Sequence, residues 1–403
     1  MTKPLAGLKV LEFAWSVAGP VVGRALADYG ATVVRVESGK RPDVTRLMGP
    51  FPDGMIDKDR SALFEDYNLG KLCIALDMGN PAAREVIKDL VAWADVVSES
   101  FSPGQMERWG LGYEALKAIN PGIILLSNSL LGQHGPLSKI AGYGNLGAAL
   151  ASVHSTVGQA GSPPVGPFGS YTDYTAPRFG LFSVLAALDH RDRTGEGAWI
   201  DLGQSETAFQ FFAPLFAEQA ATGRTTTPQG NRSPEMAPHG VFRAAGQDSW
   251  VAIAARDDAD WTRLAAEIGG PLTDPRLSHL AGRKAAEDEI EAAIGAWTQA
   301  QPAEQVEARL QQRRVPAHVV AGSAEMASDP QLAHLGYFIE VERLSGGKTT
   351  VEASRFMLSE TPFDPAEVAP PPLIGSDSRT IMCDFLGYDD RRIDDLVAQA
   401  AIC

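Results

Sequence analysis

From Gly169 to Ala208 the chain reads GSYTDYTAPRFGLFSVLAALDHRDRTGEGAWIDLGQSETA, and this stretch decides the fold. A polar turn of Ser170, Tyr171 and Thr172 leads into Asp173 and then into an apolar run. In that run Phe179, Phe182, Val184, Leu185 and Leu188 recur near the spacing of a buried helix face. The charged segment 191–197 ends the helix, and Ala198, Trp199, Ile200, Asp201 and Leu202 read as a buried strand. A helix feeding a strand is the repeat unit of an alternating α/β chain. Asp173 sits where orphan N–H groups and the helix dipole favour negative charge. Its local pattern has two readings: an N-cap, for which Asp is a preferred residue, or a carboxylate nucleophile at the edge of a buried site.

Upstream, Leu8 to Phe13 reads as a buried strand, Ala18-Gly19-Pro20 as a turn opening a helix through Leu26 and Asp28, and Thr32 to Val36 as a strand closed by Glu37. A strand–helix–strand unit with an acid after its second strand invites a dinucleotide-binding reading. The turn from Ala14 to Gly23 offers only Gly19 and Gly23, whereas approach of a pyrophosphate needs G-x-G-x-x-G, so that class is disfavoured. A loop into a strand over 68–77, a helix near 81–93 and strands near 94–97 and 123–128 continue the alternation. The pattern predicts a mostly parallel, Rossmann-like doubly wound sheet. Residues 222–238 are polar and turn-rich and mark a boundary. Beyond it, strands at 239–243 and 249–254, helices near 260–268, 285–299 and 303–312, and a strand at 317–320 predict a smaller α+β unit. The expected organisation is a large domain over 1–224, a small one over 225–328, and a segment over 329–403 that returns to the first.

A chain of 403 residues with 44% hydrophobic content can bury a large core, and its length suits two or three domains. A net charge of −15 argues against non-specific nucleic-acid binding, so an anionic ligand needs local positive contacts. Arg35, Lys40, Arg41 and Arg46 supply such a group, either as a solvated loop or as a seat for phosphates. No signal-peptide pattern opens the chain and no apolar run approaches a membrane span, so a cytoplasmic protein without membrane contact is expected. Cys73, Cys383 and Cys403 lack metal or redox spacing and read as free thiols.

The landmarks Asp173-Tyr-Thr, the helix ending Leu185-Ala-Ala-Leu188, Arg193-Thr-Gly-Glu-Gly197 and Ile200-Asp-Leu202 resemble the class III CoA-transferases, the CaiB/BaiF family. Ala18-Gly-Pro20, Val36-Glu37, Pro238-His-Gly240, Asp274-Pro-Arg276 and Val315-Pro-Ala317 extend the resemblance along essentially the whole chain. It implies coenzyme A and acyl-CoA as substrates, with no tightly bound cofactor and no metal, and a small carboxylic acid as second substrate. It also implies an interlocked homodimer in which each chain threads a ring formed by the other.

Residue by residue, the resemblance implies Asp173 as the catalytic aspartate. Val17, Ala18, Arg35, Lys40, Arg41, Arg46, Lys71, Phe101 and Arg108 are the implied CoA contacts, with Phe101 lining the adenine or pantetheine slot. Ser100 joins them, although the family commonly carries Asn there, which departs from the pattern at one hydrogen bond. Gly132 and Gln133, which fall in a glycine-rich loop near the reacting thioester, and Tyr143 complete the implied CoA contacts. His134, in the same loop, is not assigned a role. The racemase branch of the family, which contains α-methylacyl-CoA racemase, carries Gly-His-Asp where this chain has Gly142-Tyr143-Gly144. A tyrosine, with an unperturbed pKa of about 10, is a poor base for moving an α-proton, so racemisation is the alternative and transfer the leading reading. A silent CoA-binding subunit is a third reading, against which the presence of Asp173 argues. Residues 231–238 lack the run of glycines that covers the reacting carboxylate in formyl-CoA transferase, which disfavours oxalate or formate as substrate.

Overall fold

Short runs rich in β-branched residues form the centre of the structure, a computed structural model that describes residues 3–167, 169–354 and 356–402. Strands β1 (Lys9–Glu12), β2 (Thr32–Glu37), β3 (Leu72–Ala75), β4 (Val96–Glu99), β5 (Ile124–Ser129) and β6 (Ala198–Gly203) form one sheet in the order β3-β2-β1-β4-β5-β6. Every pairing is parallel, with Val10 opposite both Val33 on β2 and Val96 on β4. Parallel strands need crossovers, and the crossover helices cover both faces. Helix α1 (Ala18–Asp28) buries Val22 and Leu26 against Val10, Val33 and Ile124 on one face. Helix α2 (Pro81–Trp93), opened by Asn80 with its side chain accepting from the Ala82 N–H, buries Val86, Ile87 and Leu90 against Leu11, Val34 and Leu125 on the other.

The chain divides into two compact units. The first holds residues 1–153, 166–224 and 331–403; the second holds 154–165 and 225–330. Residues 154–165, expected in the first domain, thus belong to the second unit, and the final segment belongs to the first. That final segment covers β3, one edge of the sheet: the Cys73 N–H donates to the Asp377 carboxylate (3.0 Å), the Ala75 N–H to Ser378 Oγ (3.1 Å), and the Asp77 N–H to the Ala401 carbonyl (3.0 Å). An uncovered edge would leave those donors as a template for another chain. Cys73 is buried, Cys383 partly so, and Cys403 lies outside the described residues.

Two expectations for the stretch around Asp173 need correction. Strand β6 is the opposite edge of the sheet, so its burial alternates, with Trp199 and Asp201 exposed. After the short helix α3 (Gly144–Leu150), the long helix α4 (Tyr171–Thr194) buries small residues, Thr172, Asp173, Ala176, Pro177, Gly180 and Val184. Of the sequence stripe, Val184 is on that face and Leu188 packs partly against the core, whereas Phe182 is 73% exposed and Leu185 41%. A narrow stripe of small side chains lets α4 approach the sheet closely, since a Cβ at Gly180 would lie 3.1 Å from Val22 Cγ2 and 3.5 Å from Leu126 Cδ2. Helix α5 (Gln204–Phe209) follows β6 directly.

The second unit is built on β7 (His239–Arg243), β8 (Trp250–Ala254) and β9 (Ala317–Val319), an antiparallel sheet in that order. Its helices α6 (Asp258–Ile268), α7 (Glu287–Thr298) and α8 (Ala303–Gln312) bury Trp261, Leu264, Ile290, Ile294, Val306 and Leu310 against Phe242, Val251 and Ile253. Among the described residues no helix is long and apolar enough to cross a membrane.

Where β1 and β2 end, three cations and three anions are buried together. Arg35 Nη1 donates to Glu12 Oε1 (3.1 Å) and to the Ala14 carbonyl (2.8 Å), and Nη2 pairs with Asp43. Arg46 embraces both oxygens of Glu37 at 2.7 and 3.0 Å, and Lys71 donates to Glu12 at 2.7 Å. The carboxylates hold the Arg35 guanidinium well above its ordinary pKa despite burial, which by itself opposes the charge. Removing one member leaves the others charged and dry. Replacing Arg35 with Met should therefore cost about 3–5 kcal/mol of stability, read as a lower urea midpoint at unchanged slope. A midpoint within experimental error of the parent would show that the cluster tolerates the loss.

Candidate active site

Asp173 is the third residue of α4, and Ser170 occupies the cap position, so the N-cap reading does not hold. The Asp173 N–H donates to the Ser170 carbonyl (2.8 Å), and its Oδ2 accepts from the Gly144 N–H (3.3 Å). The residue is 4% exposed, and among the described residues it forms no ion pair. Burial pushes its carboxyl up to about 6, against the opposing pull of the Gly144 N–H and the Ser170 hydroxyl. Gly144 is dictated by this approach: a Cβ there would fall 2.8 Å from Asp173 Cγ and 2.7 Å from its backbone nitrogen.

The carboxylate opens on a cavity of 350 Å³ whose wall includes Trp15, Ser16, Ala18, Ser100, Phe101, Tyr143 and Gln204. Trp15, Phe101 and Ser102 also line a second cavity of 630 Å³, so the two share a wall. The larger one combines an aromatic side with a cationic rim. Phe101 stands edge-on to Trp15 (5.8 Å between centroids) and to Trp109 (5.1 Å), and Lys40, Arg41 and Arg108 line the rim. Both cavities lie outside the carboxyl ends of β1 and β4, where the strand order of an open α/β sheet reverses and loops splay apart.

The sequence-derived site residues separate by burial. Asp173, Ala18, Ser100, Phe101 and Tyr143 line the smaller cavity, and Lys40, Arg41 and Arg108 the larger. Arg35, Arg46 and Lys71 are corrected: they are at most 1% exposed and spend their donors on Glu12, Glu37, Asp43 and backbone carbonyls, which removes them from the set of phosphate contacts. Val17 precedes α1 and packs with Val21 and Tyr67, lining neither cavity. Gly132 and Gln133 also line neither. Their loop is tied to the sheet instead, with the Gln133 N–H donating to Asp201 Oδ1 (2.8 Å) and its Nε2 to Glu99 Oε1 (3.4 Å). Burial raises Glu99 to about 7. His134 packs against the Trp199 ring and stays exposed.

Sequence reading missed Trp15, Gln204 and Glu99. Glu99 ends β4, Gln204 directly follows β6 and Trp15 lies three residues beyond β1, and that position was the available signal: in such sheets ligands bind outside the carboxyl ends of the strands.

The model of CoA-transferase family III matches residues 5–378. The chain is 33% identical to a succinyl-CoA:D-citramalate CoA-transferase of Chloroflexus aurantiacus, across 99% of this chain and 98% of that one. It is also 33% identical to an acetyl-CoA:oxalate CoA-transferase of Acetobacter aceti, across 85% and 86%. Among solved structures, a CaiB/BaiF family protein from Brucella suis superposes with a TM-score of 0.87 at 28% identity, covering 96% of this chain and all of that one.

A buried carboxyl raised to about 6 favours the folded state when protonated and opposes it when ionised. The ionised form's cost develops as pH rises from the unfolded value near 4 through about 6, and is complete above that. Asp173→Asn should therefore raise stability at pH 7.5 by on the order of 2–3 kcal/mol and leave it unchanged near pH 3.5. Urea unfolding at the two pH values measures this, and equal effects at both would contradict the desolvated charge.

Proposed function

This chain belongs to CoA-transferase family III and is an acyl-CoA:carboxylate CoA-transferase, and on that premise we propose that it works through covalent intermediates on Asp173. The observation that carries the reading is a desolvated carboxylate with no cationic partner among the described residues, lining a cavity that shares its wall with a cation-rimmed, aromatic-sided one. Such a carboxylate is poorly stabilised and correspondingly nucleophilic.

In the proposed reaction the adenine and pantetheine of acyl-CoA lie along Trp15, Phe101 and Trp109. Lys40, Arg41 and Arg108 contact the phosphates by charge-assisted bonds. An Asp173 oxygen attacks the thioester carbon and the C–S bond breaks with its electron pair on sulfur, giving an aspartyl mixed anhydride and CoA thiolate. The thiolate attacks the aspartyl carbonyl and the donor carboxylate departs, leaving an aspartyl-CoA thioester. An acceptor carboxylate repeats both steps in reverse. No proton, oxidant or reductant enters the balance. Tyr143, 60% exposed on the cavity wall, offers no base matched to an α-proton, which favours transfer over racemisation.

Relatives named for citramalate, malate and glutarate exchange make a short-chain dicarboxylate the proposed acceptor, with succinyl-CoA the proposed donor. We further propose a cytoplasmic homodimer, interlocked as the family resemblance implies. Exposed Phe182, Phe211 and Phe216 support a covered apolar surface.

Incubation with succinyl-CoA should yield an acyl or CoA adduct on the peptide holding Asp173, detected by mass spectrometry. Asp173→Ala should abolish both adduct and transfer, and a variant with full activity would overturn the mechanism. Because the nucleophile must be ionised, kcat/KM should fall tenfold per unit as pH drops below about 6 and level off above it. An Arg41→Glu, Arg108→Glu double variant should raise KM for acyl-CoA at least tenfold with kcat nearly kept. An unchanged KM would remove the cationic rim from the CoA site.

A further inference from the structure

We propose that Gln204 is the side-chain donor that binds the acyl oxygen while Asp173 is acylated; this rests on the nucleophilic role given to Asp173 above. Attack on the thioester carbon moves the carbonyl electron pair onto oxygen, and collapse returns that pair as the C–S bond breaks. The transient oxyanion needs fixed donors, worth most in a dry site. The wall of the Asp173 cavity contains no Lys or Arg, so the donor has to be neutral.

The neutral candidates differ in how firmly they are held. The Ser100 hydroxyl accepts from the Trp15 N–H (2.9 Å) and donates to the Trp15 carbonyl (3.3 Å), so it is spent. Tyr143 and Ser102 are exposed, and the Ser16 hydroxyl and Trp15 indole belong to half-buried residues, so these would have to be ordered by the substrate. Gln204 is 8% exposed and begins α5 directly at the end of β6. Its Oε1 lies 3.4 Å from the hydroxyl of Thr172, the fully buried neighbour of Asp173. The carboxamide is thereby registered to the turn of α4 that carries the nucleophile.

The Thr172 hydroxyl has one proton and two acceptors in reach, Gln204 Oε1 and the Gly144 carbonyl at 3.1 Å. Whichever edge of the carboxamide turns towards Thr172, at least one of its two N–H bonds is left over. Among the described residues Nε2 has no acceptor. A nine-tenths buried amide with an unused donor on the nucleophile's own cavity wall is a preorganised oxyanion contact. It donates a hydrogen bond and transfers no proton.

The test compares Gln204→Met, which keeps the shape, and Gln204→Glu, which keeps polarity but repels an oxyanion, with Asp173→Ala as reference. Steady-state transfer from succinyl-CoA and single-turnover adduct formation are measured, together with binding of free CoA. Gln204→Met should lower kcat and the adduct rate about 10²–10³-fold with CoA affinity unchanged, and Gln204→Glu should lose more. Thr172→Val, which releases the carboxamide and the Gly144 carbonyl but keeps the amide donor in place, should lose less than Gln204→Met. If Gln204→Met fails to fold, Gln204→Glu decides the matter by the same rates. Wild-type kcat in the folded variant, or a loss confined to KM, would overturn the role of Gln204. That result with Asp173→Ala inactive would leave the transferase mechanism standing, whereas an active Asp173→Ala would remove both.

Discussion

The interaction on which the site depends is the single backbone hydrogen bond from Gly144 to Asp173 inside a dry wall. A carboxylate this buried would ordinarily be paired with a cation, and pairing would stabilise it, lower its pKa and blunt it as a nucleophile. Here the neighbours are neutral: a peptide N–H and a serine hydroxyl, too weak to offset desolvation. The close approach exists only because residue 144 has no Cβ. That same absence leaves no carboxylate at residue 144, and Tyr143 stands where the racemase branch carries its histidine.

Charge is handled differently a few residues away. Arg35, Arg46 and Lys71 are buried against Glu12, Glu37 and Asp43 below the loop that follows β2, where their function is to hold that loop to the strand ends. The more exposed cations Arg41 and Arg108 stand on the rim of the larger cavity, where Lys40 pairs with Asp77 (2.6 Å). A chain with a net charge of −15 thus keeps a local positive edge without a positive surface. The strand order β3-β2-β1-β4-β5-β6 is that of dinucleotide-binding sheets, yet the turn after β1 lacks their glycine fingerprint. The crevice at the reversal of strand order has aromatic walls in place of a phosphate-cradling turn.

Much of this was legible in the chain itself. Alternating strand and helix periods locate β1, β2, α1 and α2 to within a residue or two, because a two-residue or 3.6-residue apolar period is a local property. The landmark flanks of Asp173 identify the family. The small α+β unit was readable from its turn-rich boundary and its helices, while the membership of residues 154–165 was not, since nothing local distinguishes a segment that crosses to another unit.

By itself, then, the sequence determined the alternation that makes a parallel sheet and the position of one acidic residue at the start of a helix. Only the tertiary structure decided which basic residues line a cavity and which are internal counter-ions. Arg35 and Arg41 look alike in the chain, and they part because Glu12, Asp43 and the end of β1 converge on one of them from distant segments. It also decided that small residues, not Phe182 and Leu185, form the buried face of α4, and that Gln204 borders the cavity. Burial and hydrogen-bond completion depend on partners far apart in the chain, and no local pattern encodes them.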